Sequence, residues 1–344
     1  MLEHSAQAST ATVRPAARRI WLAPLIGTLF YPTLIQLFGW AMQAYRESGN
    51  ALFAGAAAIS MLAAGSVPLV AARALILMRD ESSTRPTLTR SLLYLMFAAP
   101  PAYVLVFLLA SKYGMFQYRD VVWISAWLAA GVVLSFSKAG NASRVHVAGV
   151  TGLRVIHGAI ALCLLGGFLA AHLINHTLAL WSVELHTAAM EWLRQFYRSE
   201  WVEPVLLGML LLMFLTGVPL LLHHSQQRPD TFRTLQMATG VYIGMFVGAH
   251  LTAVLGARSA GAETDWFFAT GPNGLLDGRG LLIPYYILAV YFLVLHVACG
   301  LRIVLLKHGV AAVTANRALY GLAGAGLVVT ALTAIAALGF HIQS

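Results

Sequence analysis

The chain has 344 residues, of which 59% are hydrophobic and 10% charged, with a mean hydropathy of +0.75. Soluble domains carry about 25% charged residues, so this composition excludes a water-soluble globular protein and describes an integral membrane one. The formal charge of +9 would suggest nucleic acid in a soluble chain; no RNA- or DNA-binding motif accompanies it, and basic cytoplasmic loops account for it.

A spanning helix needs about 20 apolar residues. In chain order the sequence offers nine candidates: 20–44, 51–76, 91–111, 120–138, 155–179, 204–222, 234–256, 281–305 and 317–340. The first follows a polar tail, residues 1–19, that ends in Arg14, Arg18 and Arg19. The tail reads as cytoplasmic and the helix after it as retained, because no cleavage site is evident. Pro100 and Pro101 interrupt or kink the third span. The fourth is the weakest, closing on Ser135, Ser137 and Lys138. Residues 20–138 hold no histidine, and their small residues, as in ALFAGAAAISMLAAGS, suit close helix packing. This part reads as a packing module that docks a partner or a second copy, or as one wall of a quinone or lipid cleft. With this alternation, 15 of the 22 Lys and Arg fall on the side of the N-terminus. The bias predicts a cytoplasmic N-terminus and an outer C-terminus in the cell inner membrane.

The two longest loops, 180–203 and 257–280, then lie outside. The first has helical periodicity with Trp192, Phe196, Tyr197 and Trp201, the pattern of an amphipathic surface helix. The second carries the turn signals GPNG and DGRG. Either could cover a site or merely connect spans.

Three histidines, His172, His250 and His296, lie deep in apolar helices, where ionisable groups are costly and usually face the bundle interior. His172 follows Arg154 by 18 residues and His250 follows Arg233 by 17, which places both about 26 Å along their helices at 1.5 Å per residue. Two helices running the same way thus carry imidazoles at one level, as bis-histidine haem ligation requires; two buried histidines bonded to backbone carbonyls would show the same depth. His296 falls in the inner half, opposite the histidine-free helix 204–222, which offers Met209 and Met213. Methionine can be an axial ligand, although in an apolar helix it is usually packing. His157 stands beside Arg154 at the inner end, a pair suited to a haem propionate, a quinone headgroup or a lipid phosphate. His176 reads as a surface or supporting group. His223 and His224 fall at headgroup level, and His4, His146, His186, His308 and His341 receive no role. Cys163 and Cys299 form no CxxC pair, against an iron–sulfur or zinc site.

The segment LRVIHGAIALCLLGGFLAAHLINH (153–176) resembles the first helix of the cytochrome b membrane anchor of succinate dehydrogenases and fumarate reductases, with Arg154, His157 and His172 in the matching positions. QMATGVYIGMFVGAHL (236–251) is similar to that family's fourth helix through Gln236 and His250, and LHVACGL (295–301) to its fifth through His296. AHLINHTLALWSVELHTAAMEWL (171–193) and LLGMLLLMFLTG (206–217) look closer still to the haem-type membrane domain fused to some class III adenylate cyclases. The likeness covers about residues 150–310. It implies a bundle with two haem b groups, the outer on His172 and His250, the inner on His296 and a residue of the second helix. There the sequence departs from the pattern, with Met213 where a histidine is expected.

The expected architecture is therefore all-α: a cytoplasmic tail (1–19), a four-helix membrane module (20–145) and a five-helix cytochrome b-like domain (146–344). The expected function is that of a b-type cytochrome subunit, not catalytic alone. It would carry electrons between quinone and a partner redox protein, within a larger membrane complex or as a homo-oligomer. A haem- or quinone-binding sensor and a non-redox scaffold with a degenerate haem site are the alternatives.

Overall fold

In the computed structural model, residues 19–78, 84–137, 146–227 and 230–343 are described, and all their regular structure is helical. Arg14, Arg18, His4, Arg79, Lys138, Arg144 and Arg228 lie outside them. Among the described residues, eight helices are long and apolar enough to cross a membrane, or nine if a bent pair is counted as one span. The spans are α1 (Leu22–Ser48), α2 (Ala51–Leu77), α5 (Arg119–Phe136), the stack α6 (Val150–Leu164) and α7 (Ala170–Leu178), α9 (Val202–Ser225), α10 (Thr231–Ser259), α12 (Leu282–Lys307) and α13 (Ala312–Ala337).

The bent pair is α3 (Thr84–Phe97) and α4 (Ala99–Lys112), which meet at 74°. The prolines explain the break. Pro100 and Pro101 have no N–H for the carbonyls of Met96 and Phe97, and their rings would clash with them. An unbroken helix must therefore stop at Phe97, while prolines at the start of α4 fit its first turn. In α5, Ser135 and Ser137 hydroxyls bond back to the carbonyls of Gly131 and Val133. Such internal bonds satisfy polar groups where no water is present.

The first four spans and the remainder share one core. Phe97 of the bent pair packs on Tyr242 of α10 (6.1 Å between ring centroids) and Phe292 of α12 (4.8 Å). Tyr31, Leu75, Leu93 and Ala238 are fully buried in the same cluster. At one end of α5, Asp120 accepts bonds from Tyr103 and Gln36 of two other helices and pairs with Arg119 (3.5 Å).

Two short helices close the end reached by α7 and α10: α8 (Val183–Tyr197) and α11 (Trp266–Thr270). The expected amphipathic helix is α8. Ser182 caps it by accepting from Leu185 N–H. His186 and Met190 face the protein, while Trp192, Phe196 and Trp201 are exposed, as aromatic side chains are at a membrane interface. Arg194 and Arg198 tie α8 to Thr264 in the second loop (2.7 and 2.8 Å). The turn signals of that loop also form: Gly271, Gly274 and Gly278 all have φ near +80°, a region open mainly to glycine.

Candidate functional site: two histidine clusters

The α6–α7 stack contains a π-helical turn at Leu165–Leu169. Fifteen residues of ideal helix would separate His157 and His172 by about 60° in azimuth. The π-turn absorbs one residue, about 100°, leaving them about 40° apart the other way. Both therefore stay on one face of the stack, toward α9 and α10. Only 6% of the most apolar stretch of Val150–Leu178 is buried within the protein, against 33% in α1. The stack thus lies at the periphery of the bundle, with most of its apolar surface turned outward.

At the α8 end the depth-matched pair comes together. The rings of His172 and His250 stand 6.3 Å apart, centre to centre, at 69°. Each is backed by a phenylalanine four residues earlier on its own helix. Phe168 stacks on His172 (5.0 Å, 21°) and Phe246 on His250 (5.5 Å, 13°). Residues four apart share a helix face, so the repeated F-x-x-A-H, in FLAAH and FVGAH, is a local signal for both positions.

Around this pair lies a cluster that the sequence did not reveal. His176 brings its Nε2 to 3.3 Å from Nε2 of His172. His186 of α8 lies 5.5 Å from His176, and Trp266 of α11 covers both (4.8 and 6.1 Å). His186 is only 2% exposed, and neither of its ring nitrogens has a hydrogen-bond partner. Burial, reinforced by the Arg194 charge and opposed by Asp265, pulls its pKa down to about 4, so the ring is neutral at pH 7. His341 donates from Nδ1 to the Ala179 carbonyl (2.6 Å), which ties the C-terminal segment to the α7–α8 turn. Both long loops cover this end, α8 with His186 and the second loop with Trp266.

The second cluster lies at the opposite end. His296 Nδ1 is 2.9 Å from the carbonyl oxygen of Gln236. A carbonyl only accepts, so Nδ1 carries the proton and Nε2 keeps its lone pair. Metal-binding histidines are commonly oriented in this way. Gly240 makes the position reachable, since a Cβ there would stand 3.0 Å from the His296 ring. His157 is held alike. The Thr216 hydroxyl donates to the Leu212 carbonyl (2.7 Å) and accepts from His157 Nδ1 (2.8 Å). His157 and His296 are neighbours in this cluster. Met213, half-buried, precedes Thr216 by three residues and so shares the α9 face that meets His157. Thus α9 presents Met213 beside His157, and the partners around the His296 ring, Gln236, Thr239 and Gly240, come from α10.

Arg154 does not pair with His157. Its Nη2 lies 3.3 Å from Nε2 of His224, and Arg233 Nη2 reaches the same nitrogen at 3.1 Å. Sequence placed His224 at headgroup level, yet it is buried at 6% exposure. Arg233 also donates to Gln236 (2.6 Å), which links this basic group to the residue whose carbonyl orients His296.

The residues fit a haem better than a bare cation. Two metal–imidazole bonds of about 2 Å, plus about 1.1 Å from each nitrogen to its ring centre, span about 6.3 Å, which is the His172–His250 separation. Among the described residues, no three His, Cys, Asp or Glu side chains come together as a cation site, and haem iron asks the protein for one or two ligands. A cavity of about 210 Å³ between α1 and the segment 276–281, lined by Gln36, Phe38, Arg46 and Leu281, is separate from both clusters. Compared with known proteins, the chain matches no family model, no curated protein and no solved structure.

Proposed function

We propose that this chain is a b-type cytochrome, the membrane subunit of a redox complex that carries electrons between quinone and a partner redox protein. The observation that carries the reading is the His172–His250 pair, two imidazoles from facing helices at the separation a single iron would span. The partial likeness of residues 150–310 to the cytochrome b anchors points the same way. In this reading the cell inner membrane holds the chain with its N-terminus cytoplasmic, and the α8 end faces outward.

Bound haem would supply one-electron chemistry. The protein's part is to hold and tune it. His172 and His250 offer the axial nitrogens, and Phe168 and Phe246 fix their ring planes by stacking. His296 offers Nε2 of a fixed tautomer at the other end, with Met213 or His157 as the second ligand. Arg154, Arg233 and His224 would supply positive and hydrogen-bonding groups to the propionate carboxylates of such a haem. Trp266 and α8 cover His176 and His186 beside the outer pair, and a hydrophobic cover of this kind limits solvent access to a redox centre.

A pyridine haemochrome assay on the purified chain tests this directly. One or two haem b per chain are expected, with low-temperature EPR separating His–His from His–Met ligation. A pure, folded preparation with no haem absorbance overturns the proposal.

A further inference from the structure

At the end of the molecule where α10 begins and α12 finishes lies a cavity of about 420 Å³, lined by Asp230, Arg233, Arg302, Ile303, Leu306 and Lys307. Its two arginines are held in place, and Lys307 is exposed at its edge. Arg302 donates to Asn316 (2.7 Å), pairs with Asp230 (3.0 Å) and stacks over the Phe232 ring (4.4 Å). Arg233 is fixed by Gln236 and His224, and Arg154 approaches the same His224 nitrogen from α6.

Among the described residues, the charges around this cavity do not balance. His224 Nε2 is a neutral acceptor shared by two guanidinium groups, which repel one another. Arg154 Nε is buried and has no hydrogen-bond partner. Among the described residues, Asp230 is the one carboxylate lining the cavity. Its Oδ1 is engaged by the Arg233 backbone N–H and its Oδ2 by Arg302. Like charges held together near a low-dielectric region are costly without a counter-ion. Guanidinium groups match the oxygens of a phosphate in geometry and charge. Ile303 and Leu306 give the cavity an apolar wall as well.

We propose that this cavity binds a phosphate group of net negative charge, the headgroup of an acidic phospholipid. Basic pockets between membrane helices on the cytoplasmic side take such headgroups, and the Lys and Arg bias assigns this end to that side. The apolar wall favours a lipid over free phosphate. The inference rests on the cavity lining, Arg302 and Lys307 with Arg233; a haem propionate on Arg154 and Arg233 would supply part of the same counter-charge.

The test uses the full chain, delipidated in a non-ionic detergent and followed by thermal unfolding. It is titrated separately with dioctanoyl phosphatidylglycerol, dioctanoyl phosphatidylcholine and inorganic phosphate. A saturable rise in Tm is expected with phosphatidylglycerol, with half-saturation about fivefold weaker in Lys307→Gln, which removes one exposed charge. Lys112→Gln, on α4 outside this cavity, should titrate as the parent does. If inorganic phosphate alone gives the full rise with the same variant dependence, the site takes a soluble phosphate and the chemistry stands. Equal effects of phosphatidylcholine and phosphatidylglycerol, no saturable rise with any ligand, or a Lys307→Gln titration like the parent's overturn the proposal.

Discussion

Removing either member of the His172–His250 pair should have unequal effects. On α10, the helix neighbours of His250 on its own face are Phe246 and Val254, and neither can bind iron. On α7, Nε2 of His176 lies 3.3 Å from Nε2 of His172. An iron that lost His172 would need to shift by no more than about 3 Å, roughly half a helical turn, to meet a replacement imidazole. We therefore expect His250→Ala to lose one haem per chain outright. His172→Ala should keep that haem with an altered spectrum and an affinity lower by about 10- to 100-fold, the range for disturbed metal-site support. The double variant His172→Ala/His176→Ala should match His250→Ala. The assay is haem per chain by pyridine haemochrome, with EPR of the ferric protein for spin state. Equal, complete loss in both single variants would refute the substitute-ligand reasoning, and full haem retention in His250→Ala would refute the pair itself.

Three further outcomes follow from local geometry. His186 has a folded pKa of about 4 against an ordinary value of 6.5, so between those values the unfolded chain binds more protons and stability falls as pH drops. Thermal unfolding from pH 7 to pH 4 should show this slope, and His186→Leu should reduce it; an unchanged slope would remove His186 as a contributor. Gly240→Ala would set a Cβ 3.0 Å from His296 Cε1. It should displace the ring from the Gln236 carbonyl at a cost of about 1–3 kcal/mol, read as a lower Tm and, in the haem-loaded protein, a perturbed inner signal. Gly274 and Gly278 share φ near +80°, but a Cβ at Gly274 would stand 2.5 Å from the Leu338 backbone carbon, while Gly278 faces open space. Gly278→Ala should then cost about 1 kcal/mol of conformational strain, and Gly274→Ala clearly more; equal Tm losses would contradict the packing.

The membrane class, the spans and the α8 surface helix were legible in the sequence because hydropathy and periodicity are local properties of the chain. The break at Phe97 was legible for the same reason, since Pro100 and Pro101 remove specific backbone bonds wherever they occur. Depth was legible too: distance along a helix scales with residue count, so the shared level of His172 and His250 could be read directly. Azimuth and partnership were not. The π-turn at Leu165–Leu169 rotates half the α6–α7 stack by about 100°, and no composition rule marks it.

Tertiary structure alone decided the company each imidazole keeps. His186 looks like an ordinary loop residue until α8 folds over α7 and buries it beneath Trp266. His224 sits at the end of its own helix, yet Arg154 and Arg233 from two other helices enclose it. Arg154 is three residues from His157 in sequence, but the guanidinium and the imidazole turn to different partners. One-dimensional patterns set what each helix is and how deep its polar residues lie. Which faces meet depends on side-chain packing among helices distant in sequence, and that packing brought the histidines and arginines into two clusters at opposite ends.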